Sequence, residues 1–188
     1  MTNGATPPQR LLLICGSLRS GSTNEALLRT VASLLPAEVA ADLYDGMGQL
    51  PHFNPDDDHD PLPAEVVDLR HRIAGATAIL FSTPEYAGAM PGSLKNLLDW
   101  TVGGVEISDK PTAWINISTA PAGAAGTHES LTIVLRYTGA NLVEAACVRI
   151  PVHRDAVGLD GLIGDPEIRI RTQAAITTLL DATSPPNG

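Results

Sequence analysis

Aromatic residues, cysteine and positive charge are all scarce in this chain, and each scarcity closes off a class of protein. Phe, Trp and Tyr make up 4% of its 188 residues, so the core must be assembled from Ala, Leu, Val and Ile. Two cysteines, Cys15 and Cys147, supply neither a disulfide framework nor a metal motif. Both stand in apolar runs, where a small buried thiol is expected. Only 12 Lys and Arg face 21 Asp and Glu, for a formal charge of −9. That balance leaves no basic stripe for nucleic acid and no attraction to an anionic membrane surface. The apolar run Leu11–Cys15 is far too short to span a bilayer, and the polar residues 1–9 do not lead into a signal peptide's apolar segment. The expectation is a soluble, cytoplasmic protein with a single domain over 1–188 and frayed ends at 1–8 and 184–188.

Apolar runs of strand length recur at Leu11–Cys15, Val39–Leu43, Ala78–Ser82, Thr112–Ile117 and Leu142–Ile150. Helical spacing fills the gaps at Glu25–Leu35, Leu62–Ala74, Gly92–Trp100 and Thr127–Tyr137, and again at Asp165–Asp181, with Ile168, Ile176, Leu179 and Leu180 facing inward. This alternation predicts the α/β class: a five-stranded parallel sheet with helices on both faces, joined by right-handed crossovers. In such sheets ligands bind beyond the carboxyl ends of the strands, where the winding direction reverses.

Two of the loops at that edge carry motifs. After the first strand stands Gly16-Ser17-Leu18-Arg19-Ser20-Gly21-Ser22-Thr23-Asn24, leading into a helix. Free N–H groups at a helix N-terminus attract an anion, and Ser17, Ser22, Thr23, Asn24 and Arg19 add side-chain donors. Gly21 is followed by Ser22 rather than Lys, which excludes a nucleoside-triphosphatase loop. Leu18 stands where a dinucleotide fingerprint requires Gly. A single terminal phosphomonoester suits the loop best; an ordinary capped βα turn is the alternative. After the third strand, Pro84-Glu85-Tyr86-Ala87-Gly88 forms a stiff turn ahead of Pro91, which is expected at the first helical position, and the stripe Leu94, Leu97 and Leu98. Lys95 and Asp99 lie four apart on that helix.

In this order, the two segments resemble the signatures of the NADPH-dependent FMN reductase family of flavodoxin-like proteins, over about residues 10–182. The resemblance implies a flavodoxin-like sandwich and hydride transfer from NADPH or NADH to FMN. A quinone, azo compound or other small acceptor then takes the electrons, in a ping-pong cycle. It implies that Ser17, Arg19, Ser22, Thr23 and Asn24 hold the FMN phosphate and ribityl chain. Pro84, Glu85, Tyr86, Ala87 and Gly88 would border the isoalloxazine through backbone groups, with Tyr86 a candidate for stacking. Ser118 and Thr119 would approach from the loop after the fourth strand. The resemblance further implies a homodimer or homotetramer. Two positions depart from the family pattern: Ala87 stands where Asn is common, and Gly123-Ala124-Ala125-Gly126-Thr127-His128 replaces an Arg-Ala-Gln element.

Other chemistries fit less well. Read as a calcium loop, Asp56-Asp57-Asp58-His59-Asp60 has Pro61 and Val67 where Gly and Glu are required, so a solvated acidic loop is expected and no metal. His52, His71, His128 and His153 lack metal spacing, although His128 begins a helix beside the expected pocket. No G-x-S-x-G elbow occurs. The rival from another class is a flavodoxin-like electron carrier that docks by charge; the length of the match to the reductase signatures favours the enzyme.

Overall fold

The strands β1 (Gln9–Cys15) and β3 (Ala78–Ser82) lie side by side at the centre of a parallel sheet. The structure, a computed structural model, describes residues 9–183; the expected frayed ends lie outside them. β2 (Val39–Tyr44) pairs with the outer side of β1, and β4 (Pro111–Asn116) with β3. Two short strands, β5 (Asn141–Leu142) and β6 (Val148–Arg149), share the far side of β4, giving the order β2-β1-β3-β4-β5/β6. The winding reverses between β1 and β3, which makes their carboxyl ends the expected ligand edge.

Period-2 alternation sends Leu12, Ile14, Ile79 and Phe81 to one face and Leu11, Leu13, Ala78 and Leu80 to the other. The first face is covered by α2 (Ala64–Gly75), α3 (Gly92–Asp99) and α4 (Ala125–Tyr137). Leu69, Leu94, Leu97, Leu98, Leu131 and Leu135 are its fully buried leucines on these helices. The second face is covered by α1 (Thr23–Leu34) and α5 (Pro166–Asp181) through Leu27, Leu28, Val31, Ile176 and Leu179. On α5 the expected inward residues Ile176 and Leu179 are fully buried, while Ile168 and Leu180 are only partly so. Pro91 precedes α3 as its N-cap, one position before the expected one. Lys95 and Asp99 form the anticipated ion pair at 2.6 Å.

The fifth strand departs from expectation. The run Leu142–Ile150 is not continuous: Glu144–Ala146 turns as a 3₁₀ segment between β5 and β6. Glu and Ala favour helical over extended backbone, and Ala146 is fully buried in the turn. Leu142 pairs with Thr112 and Val148 with Ile115, so three residues are looped out relative to β4. The acidic loop is also not wholly solvated. Asp56 and Asp57 are exposed, but Asp58 is largely buried against Arg70 at 2.6 Å, and Arg70 also donates to the Trp100 carbonyl.

Among the described residues no helix is long and apolar enough to cross a membrane, and no group of three acidic, His or Cys side chains is placed to hold a metal. Both cysteines are free and half-buried.

Candidate functional site

The register aligns the ends of β1 and β3, Cys15 opposite Ser82, and brings the loops after β1, β3 and β4 to one edge. The β1 loop is fixed by close backbone approach. The Gly16 N–H donates to the Ser82 carbonyl at 2.8 Å, and a Cβ on Gly16 would lie 2.1 Å from Thr83 Oγ1. Only glycine fits that seam. Ser22 caps α1, its hydroxyl accepting from the Glu25 N–H at 3.1 Å, while the Glu25 carboxylate accepts from the Gly21 N–H at 3.0 Å. This is a reciprocal cap that closes the turn on itself. Among the described residues, the N–H groups of Ser17, Leu18, Ser20, Ser22, Thr23 and Asn24 donate to nothing in the protein. The Arg19 guanidinium, also among the described residues, has no carboxylate partner.

The β3 loop forms a tight two-residue turn. Tyr86 and Ala89 exchange N–H···O bonds of 3.0 and 3.1 Å around Ala87 (φ 52°) and Gly88 (φ 77°). Positive φ at both central positions suits Gly and Asn, so Ala87 sits where Asn relieves backbone strain. Of the backbone groups expected to border a flavin, the Tyr86 N–H is taken by the turn, and those of Ala87 and Gly88 have no acceptor among the described residues. The turn docks on α4. Thr127 Oγ1 donates to the Ala89 and Pro84 carbonyls at 2.8 and 3.3 Å, and the Thr127 N–H donates to the Glu85 carboxylate at 3.2 Å. Gly126 allows this approach, since a Cβ there would lie 2.2 Å from the Gly88 carbonyl oxygen.

The β4 loop is held from within by Asn116, whose Nδ2 donates to the Gly123 carbonyl and whose Oδ1 accepts from the Ser118 N–H at 2.8 Å. His128 Nδ1–H donates to the Ala124 carbonyl at 2.8 Å, and its ring packs on Trp114 at 4.3 Å. Burial pushes the His128 imidazole below its ordinary range, against the weaker opposing effects of that carbonyl and of Glu85. Burial likewise raises the Cys15 thiol, which keeps it neutral and poorly nucleophilic.

A cleft of about 390 Å³ opens between these loops. Six of the expected site residues line it: Thr23, Asn24, Pro84, Glu85, Ser118 and Thr119. Ser17 instead lines a neighbouring concavity of about 230 Å³ beside Cys15 and Tyr44. Arg19, Tyr86, Ala87 and Gly88 are exposed and line neither concavity, and Ser22 is buried in its cap. Asn24 is also buried; its Oδ1 accepts from the Ser82 hydroxyl at 2.9 Å beneath the cleft.

The profile of the NADPH-dependent FMN reductase family matches residues 9–154. The chain belongs to this family. Membership brings oxidoreductase chemistry with FMN and NAD(P)H. An NAD(P)H-dependent FMN reductase of Pseudomonas aeruginosa is 33% identical over 172 residues, 90% of this chain and 92% of the relative. A 2-hydroxy-1,4-benzoquinone reductase of a Burkholderia species is 37% identical over 68% of this chain and 70% of its own. Among solved structures, FerB, a flavoenzyme NAD(P)H:(acceptor) oxidoreductase from Paracoccus denitrificans, superposes with a TM-score of 0.83 at 30% identity. That match covers 93% of this chain and 97% of FerB.

Within this FMN reductase family member, the residues present suit the cofactor. At the N-terminus of α4 the Glu85 carboxylate accepts from the Thr127 N–H, whereas at α1, although Ser22 takes the Glu25 N–H, those of Ser22, Thr23 and Asn24 have no acceptor among the described residues. An anion is therefore directed to the β1 loop. Sequence reasoning missed Asn116, Gly126, Thr127, Ser130 and Arg149, which shape the site without entering the two motifs. Ser130, for example, accepts from the Met90 N–H at 3.3 Å. The Gly126-Thr127-His128 departure was the available signal.

Proposed function

We propose that this protein is an NAD(P)H-dependent FMN-containing reductase of small acceptors, with a quinone as the favoured class. The observation that carries the reading is the convergence of three loops on the cleft at the β1/β3 reversal, beside a helix N-terminus left free for a phosphate. In this reading Ser17, Arg19, Thr23 and the open N–H groups hold the FMN phosphate. Ser22 and Asn24 shape that loop from beneath, and Pro84, Glu85, Ser118 and Thr119 flank the ring. The free N–H groups of Ala87 and Gly88, and the exposed ring of Tyr86, border its open side. Bound FMN supplies the redox chemistry. The chain's part is to orient it, to direct donors at charge developing on it, and to leave one side open to substrates.

The quinone assignment draws on the relatives named for quinone reduction, and a cytoplasmic setting suits two free thiols. A homodimer or homotetramer is the expected assembly. Val102 and Tyr137, both more than half exposed, line a groove of about 490 Å³ beside α3 and α4, an apolar surface suited to a second copy.

The test is a visible spectrum of the purified protein with FMN, followed by NADPH or NADH without oxygen. Rapid bleaching of a bound flavin band is expected, and its rate with each donor reads the preference. Bleaching by dithionite alone would instead mark an electron carrier.

A further inference from the structure

The loop after β4, Ser118-Thr119-Ala120-Pro121-Ala122-Gly123, walls the cleft but has few side chains able to fix its own shape. Its outer support is Arg149 on β6. Arg149 Nε donates to the Ser118 carbonyl at 3.2 Å, and Nη2 donates to the Ser118 and Ala120 carbonyls at 3.2 and 2.8 Å. The seat is close-fitting. Gly123 has φ +63°, and a Cβ there would lie 2.8–2.9 Å from Arg149 Cζ, Nε and Nη1. Asn116, opposite Arg149 in the register, grips the same loop from within. Arg171 of α5 donates to the Arg149 carbonyl at 2.7 Å and steadies the strand from behind. Among the described residues Arg149 has no carboxylate partner, so its fork serves carbonyls alone. The broken fifth strand thereby acquires a use: the looped-out residues bring Arg149 to the carboxyl end of β4.

We infer that Arg149 is a positioning residue for the cofactor, clamping the β4 loop in the shape that offers Ser118 and Thr119 to FMN. The inference rests on the reading of the cleft as the FMN site. It acts through a planar fork, so charge alone does not replace it; Lys offers a point charge on a flexible stem.

The test is FMN titration, followed by quenching of flavin fluorescence, on the wild type, Arg149→Lys, Arg149→Ala, Gly123→Ala and the Gly123→Ala/Arg149→Ala pair. Both Arg149 variants should raise Kd roughly tenfold, as loss of an outer support of a ligand site does. Gly123→Ala should weaken binding by displacing the guanidinium, and the double variant should be no worse than Gly123→Ala alone. In FMN-free protein, hydrogen exchange over residues 117–124 should quicken in the same variants while α1 is unchanged. Wild-type affinity in Arg149→Ala, full rescue by Lys, additive losses in the pair, or unaltered exchange would each overturn the clamp. A wild type that binds no FMN would overturn the reading of the cleft instead, and the exchange measurement would still judge the clamp.

Discussion

The β1 loop and the β4 loop face the same cleft but differ in where their side-chain supports come from. Beyond its anchor on Ser82, the β1 loop organises itself: Ser22, Glu25 and Gly21 satisfy one another within five residues. The β4 loop is made of small residues; Asn116 at the end of its strand and His128 on the following helix hold it from nearby, and Arg149 on another strand holds it from a distance. A loop whose supports are local leaves a motif in the sequence, whereas one whose supports are distant leaves only a run of Ala and Gly.

Asn116→Asp attacks the borrowed support most directly. It keeps the acceptor for the Ser118 N–H but turns an oxygen toward the buried Gly123 carbonyl, and should cost about 2–3 kcal/mol. Urea unfolding checks this, and FMN affinity should fall with it. In the β1 loop, Gly16→Ala drives a methyl into Thr83 and should cost about 2 kcal/mol with loss of FMN binding. A stable variant with native affinity would show that the seam opens more easily than its distances imply.

Smaller changes separate support from contact within the β1 loop. Ser22→Ala removes the cap and should lower stability by about 1 kcal/mol. Thr23→Ala, at the cleft wall, should weaken FMN binding while leaving the urea midpoint unchanged. The smallest effect is confined to acid and to the β4 side. Burial lowers the folded pKa of His128, so the unfolded chain takes up the proton first. The stability that neutral His128 contributes is present above its unfolded value of about 6.5 and is lost as the pH falls through it toward the folded value. Urea midpoints at pH 8 and pH 5.5 should show this decline, and His128→Gln should reduce it.

The elements were largely legible because their signals are local. The five helices and the first four strands sit within two residues of their expected limits. The fifth strand was misjudged because Val, Leu and Ile dominate the run on either side of Glu144-Ala145-Ala146, and only pairing with β4 shows that three residues are looped out. Both site motifs were legible as segments, but not the direction of each hydroxyl. Ser22 and Asn24 turn inward as supports, Thr23 alone of that trio meets the cleft without being buried, and Tyr86 spends its N–H within its own turn.

The sequence by itself determined the alternation of strand and helix, the two faces of the sheet and the α1 cap, since periodicity and capping act over two to four neighbouring residues. Tertiary structure decided which donors stay free and which are consumed. It also decided that Glu85 occupies the N-terminus of α4, and that Asn116 and Arg149 meet across the sheet to hold one loop. Those contacts depend on strand register, and register is fixed only when the whole chain has buried its apolar faces.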